Sequence, residues 1–293
     1  MKILHLDSGR EMRGGQWQVL RLLDGLAAAG VESTLLARRR SPLFEAASRK
    51  RWNVEPLSAA HILACARRHD LIHAHDARSH TLALIAPGTP LVVSRRVAFP
   101  IRSFWKYQRP RRFLAVSEYV KSMLREAGIP EEKIDVVYDG VPLLEPRGGT
   151  AVLAVDNSSD PQKGAALAAR AAEMAHVPLR FAADLERDLA DAALFVYITH
   201  SEGLGSAVLL AMSAGVPVVA SGVGGLREII HSGENGLLVE NSVPAIAGAI
   251  RRLLDDPDFA ARLGLAGRRT IETNFTADCM VRRTMEVYCR VLS

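Results

Sequence analysis

The sequence predicts an α/β protein built from two parallel-sheet halves. Three observations carry that expectation. Apolar β-type runs alternate with helical runs along most of the 293 residues. The strand runs are nearly continuous in apolar residues rather than alternating, as expected for parallel strands covered by helices on both faces. A proline- and glycine-containing stretch at 143–149 (Leu-Leu-Glu-Pro-Arg-Gly-Gly) interrupts the series, and the same order of elements restarts after it.

The first half opens with a strand over 2–7 (Lys-Ile-Leu-His-Leu-Asp). A helical repeat over 16–29 follows and is closed by Gly30, a residue suited to the left-handed end of a helix. Further strands are expected over 31–37, 70–75, 90–94, 112–117 and 134–138, with a helix over 118–127 closed by Gly128. In the second half the series is strand 150–155, helix 163–176, strand 179–183, short helix 185–192 and strand 194–199. Helix 206–214, strand 216–220 and helix 226–231 come next. From Ser242 onward the pattern is helical, and the last helix, 276–292, is expected to pack back on the first half. The domains are therefore drawn as 1–146 and 147–293.

Composition narrows the class. Hydrophobic residues make up 48% and charged residues 24%, which suits a folded globular chain and argues against disorder. The apolar run at the N-terminus is cut by Asp7, too early for a secretory signal, and no apolar stretch is long enough to span a bilayer. A cytoplasmic protein is expected. Cys65, Cys279 and Cys289 are odd in number and widely spaced, which fits free thiols rather than a disulfide frame or a zinc site. The net charge of +5 is a mild excess that suits anionic substrates or lipid heads.

Two glycine turns carry the chemistry. Gly14-Gly15 follows the first strand and precedes a helix, where backbone can approach a ligand and the helix end favours an anion; a plain tight turn is the alternative. Ser201-Glu202-Gly203-Leu204-Gly205-Ser206 sits in the same context in the second half. There the amides at Gly205 and Ser206 suit a diphosphate, and Glu202 can accept hydrogen bonds from sugar hydroxyls. The segment runs on through Met212-Ser213-Ala214-Gly215-Val216-Pro217 to Gly224-Gly225-Leu226-Arg227-Glu228.

Residues 201–230 resemble the donor-site signature of the family-four retaining glycosyltransferases, whose fold is two Rossmann-like domains facing across a cleft, the GT-B arrangement. Gly14-Gly15, Phe113–Glu118 (Phe-Leu-Ala-Val-Ser-Glu), residues 136–141 (Val-Val-Tyr-Asp-Gly-Val) and Pro161-Gln162-Lys163-Gly164 agree in order. The resemblance implies that Lys163 neutralises a departing diphosphate and that Glu202 holds the donor sugar. It places Gly203, Leu204, Gly205 and Ser206 against the phosphates and Glu228 near the nucleotide. Gly14 and Gly15 would line the acceptor side, together with His75, Arg95 and Arg96. The implied reaction moves a sugar from a nucleotide-sugar to a glycan or lipid-linked hydroxyl acceptor with retention, without metal or other cofactor.

Several positions depart from the family pattern. A second glutamate is expected after seven intervening residues beyond Glu202, and Leu210 stands there. The arginine expected shortly before Lys163 is replaced by Asp156-Asn157-Ser158-Ser159-Asp160, and Ser94-Arg95-Arg96 stands where a histidine is usual. Lys163 and Glu202 are also close in sequence, so the second domain is expected to be shortened by about one βαβ step. These departures motivate a rival reading: a degenerate relative that binds nucleotide or glycan, or supports a partner enzyme, without catalysis.

His73 and His75 end a strand on one face; a crevice or packing role is expected there in preference to a metal, and no Asp-x-Asp pair follows a strand. The 95–112 segment interleaves Arg95, Arg96, Arg102, Lys106, Arg109, Arg111 and Arg112 with Phe99, Phe104, Trp105 and Tyr107. A solvated loop or peripheral contact with anionic lipid, or with a phosphorylated acceptor, is expected there; nucleic acid is not.

Overall fold

The computed structural model describes residues 1–101, 105–156 and 163–293. Arg102 and Phe104 of the basic segment, and residues 157–162 before Lys163, lie outside the described residues. The chain divides into two compact units, Met1–Gly140 with Ala277–Ser293, and Val141–Thr276. Both are Rossmann-like α/β layers.

The first unit holds a seven-stranded sheet of β1 (Lys2–Asp7), β2 (Glu32–Ala37), β3 (Asn53–Pro56), β4 (Leu71–Ala74), β5 (Leu91–Arg95), β6 (Arg112–Ala115) and β7 (Ile134–Val136). The order is β3-β2-β1-β4-β5-β6-β7, and every pairing is parallel. Helices α1 (Gly14–Ala28), α2 (Pro42–Arg49), α3 (Ala59–Ala66), α4 (Ala77–Ala83) and α5 (Glu118–Glu126) make the crossovers. Ser41, Ser58, Asp76 and Ser117 cap the last four, each side chain accepting from a backbone amide of the first turn.

The second unit holds β8 (Ala151–Val155), α6 (Ala165–Ala175), β9 (Leu179–Ala182), α7 (Leu185–Asp188), β10 (Ala192–Tyr197), α8 (Ser206–Ser213), β11 (Val218–Ser221), α9 (Leu226–Ile229) and β12 (Leu237–Val239). Helices α10 (Val243–Asp255) and α11 (Pro257–Asn274) close it. Its sheet has five parallel strands in the order β12-β11-β10-β8-β9, against seven in the first. Val152, Leu194, Val196 and Val219 pack on Ile246, Ile250, Leu253 and Leu263, all under 5% exposed.

Helix α12 (Ala277–Leu292) belongs to the first unit. It buries Met280, Val281, Val287 and Tyr288 against Ile3, Leu22, Leu26, Leu71 and Val92. A Cβ at Gly25 of α1 would lie 2.3 Å from Val281 Cγ2, so the two helices meet at a glycine.

Two strands were not expected from the sequence. β3 is a half-exposed edge strand ending in Pro56, and β12 is an edge strand of three residues. Neither is long enough to display a period. Helix α1 starts at Gly14 rather than at Gln16, so Gly14 and Gly15 form its first turn.

Candidate active site

In open parallel sheets, ligands meet the carboxyl ends of strands where the strand order reverses. In the second unit that point lies between β8 and β10. The chain after β8 returns at Lys163, which makes an isolated antiparallel bridge with Thr199 just beyond β10. Gly164 N–H donates to the Ile198 carbonyl at 2.9 Å, and a Cβ at Gly164 would lie 2.5 Å from Ile198 Cγ2. Glycine there lets the Lys163 backbone lie against the end of β10. Helix α6 begins at Ala165, so Lys163 stands before the helix and not within it, correcting the expected start at 163.

Lys163 and Glu202 come together. Lys163 Nζ donates to Glu202 Oε2 at 2.6 Å, with the two side chains 16% and 17% exposed. The other carboxylate oxygen, Oε1, accepts from Gly203 N–H at 3.1 Å. Tyr197, the last residue of β10, adds its hydroxyl to the same pair, donating to Oε2 at 2.5 Å and accepting from Nζ at 3.1 Å.

The turn beyond Glu202 is built on glycine. Gly205 has φ +107°, a region closed to most side chains, and it caps the N-terminus of α8. The amide of Gly225 donates to the Glu202 carbonyl at 3.2 Å, and a Cβ at Gly225 would stand 2.0 Å from the Gly203 oxygen. The 202–205 and 224–225 turns therefore pack backbone on backbone. This directs the positive end of the α8 dipole to the same strand ends as Lys163. Leu204 is 2% exposed, so its side chain fills the interior and only its backbone can meet a ligand. Ser206 opens α8, and Glu228 stands in α9 directly after the Gly225 contact. Leu210 is 5% exposed within α8, so an apolar side chain sits where the family pattern asks for a carboxylate.

In the first unit the reversal lies between β1 and β4. His5 and His73 are register partners across these strands, and His75 follows on the same face. His5 Nδ1 and His75 Nε2 are hydrogen-bonded at 3.0 Å. His73 is bonded through Nδ1 to the Tyr288 hydroxyl at 2.5 Å and through Nε2 to Ser94 Oγ at 2.8 Å. Burial holds these rings neutral: His5 is lowered to about 3, and His73 and His75 lie well below the ordinary 6.5. One nitrogen from each ring lies within 4.8 Å of the others, close enough in principle to share a cation. Both nitrogens of His73 are nevertheless committed to hydroxyls. His5 Nε2 and His75 Nδ1 have no protein partner.

Arg96 lies beside the Gly15 turn, where an added Cβ would touch its Cδ at 3.9 Å. Its Nε donates to Asp139 Oδ1 at 3.0 Å, and its Nη1 is buried without a partner. Asp7, at the end of β1, accepts from Gly9 N–H and Gln16 Nε2; burial first, then the Asp76 charge, raises its pKa. Arg95 is turned away from this group, donating to the Tyr107 hydroxyl at 3.3 Å and to the Phe99 carbonyl. Lys106, Arg109 and Arg112 likewise donate to backbone carbonyls of Ala77, Ala86 and Glu132. The basic segment thus uses much of its charge to hold its own fold, while Phe99 and Trp105 stay 54% and 63% exposed.

The sequence assigns no role to Tyr197, Gln18 or Asp139, although Asp139 lies in the 136–141 stretch that agrees with the family. Tyr197 was read as part of an apolar strand. Gln18, whose side-chain Oε1 accepts from Gly140 N–H at 3.1 Å, sits in a helix whose pattern reads as amphipathic.

HepE from Anabaena, solved with UDP and glucose, shares the fold with a TM-score of 0.87 over 99% of each chain, at 17% identity. A glycosyltransferase from Rickettsia africae does so with a TM-score of 0.83 over 100% of this chain and 98% of its own, at 18% identity. Both are GT-B neighbours, and each matches this chain over nearly its whole length. Glycogen synthase of Mycobacterium tuberculosis is 37% identical over 100 residues, 34% of this chain and 24% of that enzyme. The capsular polysaccharide glycosyltransferase CapM of Staphylococcus aureus is 31% identical over 96 residues, 32% of this chain and 25% of its own. The matched stretch thus spans about a quarter of these relatives. The model for glycosyltransferase family 4 matches residues 12–144, and that for glycosyl transferases group 1 matches 120–256, so the chain belongs to the family-four, group 1 glycosyltransferases.

Proposed function

We propose that this chain transfers a sugar from a nucleotide-diphosphate sugar to a hydroxyl acceptor, a glycan or lipid-linked sugar of the cell envelope, with retained anomeric configuration and without a metal ion. The observation that carries the reading is the Lys163–Glu202 pair at 2.6 Å beside the N-terminus of α8. In this reading the ammonium moves onto the diphosphate as negative charge develops there, and Glu202 accepts hydrogen bonds from the donor sugar. The α8 dipole and the loop amides supply the remaining positive field. The acceptor oxygen attacks the anomeric carbon from the face the diphosphate leaves, and a phosphate oxygen takes its proton. With the cation supplied by Lys163, no metal is required. The unpartnered nitrogens of Arg96 and His75 support an acceptor-side role for the β1–β4 strand ends. Phe99 and Trp105 would make any peripheral lipid contact, since the neighbouring cations are tied to carbonyls.

A second reading, nucleotide or glycan binding without turnover, is favoured by Leu210, whose buried side chain offers no acceptor to a ribose hydroxyl. One experiment separates the two. The purified chain is screened by thermal shift against UDP, GDP and ADP, then incubated with the matching sugar donors and sugar acceptors. Glycosylated product with release of the nucleotide supports transfer. A stabilising nucleotide with no product across the donor panel rejects it in favour of binding alone.

A further inference from the structure

The three side chains at the end of β10 are anchored unequally. Glu202 lies in a glycine turn, and Lys163, two residues before α6, is held to the Thr199 backbone by a single isolated bridge. Tyr197 alone is rooted in a strand, where its backbone pairs with Ala220 of β11. Its ring stacks on that of the fully buried Phe195, with centroids 6.1 Å apart and planes 20° from parallel. The residue is 7% exposed, and the Lys163 ammonium lies 5.3 Å from the ring centroid.

The hydrogen bonds form a closed triangle with edges of 2.5, 2.6 and 3.1 Å. Glu202 Oε2 takes two donors, one cationic and one neutral. In the proposed reaction the cationic one has a second claim on it, because a diphosphate competes with the carboxylate for the ammonium. The phenol carries no charge, so the diphosphate does not draw it away.

We infer that Tyr197 is a positioning residue: its hydroxyl holds the Glu202 carboxylate in register with the donor sugar while Lys163 turns to the diphosphate. This rests on the proposed transfer reaction. It assigns the orientation of Glu202 to a strand residue outside the glycine turn that carries the family signature.

Tyr197→Phe keeps the ring, the stack and the cation–π contact and removes only the hydroxyl. Hydrogen bonds to charged groups predict a fall in kcat of about ten- to hundredfold, with a smaller change in the donor KM. If Tyr197 acts through Glu202, the same change in a Glu202→Gln background should cost less than about threefold, because coupled residues are not additive. Equal losses in the two backgrounds, or an active wild type with Tyr197→Phe within about twofold of it, overturn the inference. A second measurement needs no substrate. Crystal structures of the substrate-free protein should show the Glu202 carboxylate turned or spread over several positions in Tyr197→Phe and fixed in wild type, because only the hydroxyl is lost from the triangle. An unmoved carboxylate in the variant overturns the inference whatever the donor. A moved carboxylate, in a protein whose wild type turns over no nucleotide-sugar, supports the orienting bond and counts against the proposed reaction alone.

Discussion

Mild acid should destabilise the first unit and leave the second nearly unaffected. His5, His73 and His75 are at most 5% exposed, and removal from water is the main reason each is held neutral. Neighbouring imidazoles act in the same direction on all three, and Arg96 adds to the effect on His73 and His75. In the unfolded chain each ring titrates near about 6.5. Between that value and the lowered folded one, the unfolded chain binds more protons, so stability falls as pH falls. The contribution is complete above about 6.5 and is lost progressively toward about 3, the folded value of His5. One unit below 6.5, each ring kept neutral costs about 1.4 kcal/mol, so the three together cost about 4 kcal/mol. That is a large share of the roughly 5–15 kcal/mol that holds a typical domain together. His80, lowered to about 4, adds in the same direction. Asp7 opposes it: burial raises its pKa above the ordinary 3.8, so as pH falls through the raised value the fold takes up a proton before the unfolded chain does. The histidines of the second unit, His176, His200 and His231, are exposed. All three tryptophans, Trp17, Trp52 and Trp105, lie in the first unit, so their fluorescence reports on it alone. With His80 counted, guanidinium unfolding followed by that signal should lose about 5 kcal/mol between about pH 7.5 and 5.5, and His75→Asn should remove about a quarter of the loss. A loss under about 1 kcal/mol would refute the reasoning, because even one ring kept neutral costs more than that.

Replacing Lys163 with Met keeps the length of the chain and removes the charge; kcat/KM for the donor should fall by about a hundredfold or more, read from initial rates, with Tm nearly unchanged. Gly225→Ala should lower Tm and weaken nucleotide binding together, because its Cβ would stand 2.0 Å from the Gly203 oxygen and the 202–205 turn must move; thermal shift with and without nucleotide measures both.

Strands that run through the middle of a sheet were legible, because burial on both faces leaves a continuous apolar run of useful length. The runs at 2–7 and 194–199 are of this kind; β1 matches the first, and β10 begins and ends two residues before the second. β3, Asn-Val-Glu-Pro at a sheet edge, carries no such run; its place is set by pairing with β2, a long-range fact that a local window cannot contain. The site shows the same division. Glu202 could be named because glycines mark turns, and turns after strands are where sheets present ligands; Lys163 came only with the family resemblance. Tyr197 could not, since a tyrosine ending an apolar strand reads as core until the residue across the turn is known. Arg95 illustrates the converse. Its charge was visible, but the Tyr107 hydroxyl and Phe99 carbonyl that engage it depend on how the following loop folds back.

The charge balance at the end of β10 limits how the proposed reaction can work. One ammonium faces one carboxylate there, so the pair is neutral before any donor is considered. A diphosphate brings about two negative charges, and a helix N-terminus offsets only about half of one. Most of the compensation must therefore come from Lys163 changing partner, and Glu202 would then lose its cationic donor as the sugar requires it to be fixed. A second glutamate at position 210 would add another negative charge to this balance. Leu210 avoids that addition but gives up a hydrogen bond to the ribose, so recognition of the nucleotide must rest more on backbone amides and on the base. On this reasoning, Leu210→Glu should restore discrimination between ribose and 2′-deoxyribose nucleotides if its carboxylate reaches the ligand. It should also weaken the diphosphate interaction at low salt, where like charges repel most. Competition binding of UDP against 2′-deoxy-UDP at two salt concentrations reads both effects. Equal affinities for the two nucleotides in the variant, with no change in salt dependence, would mean that position 210 faces no part of the donor.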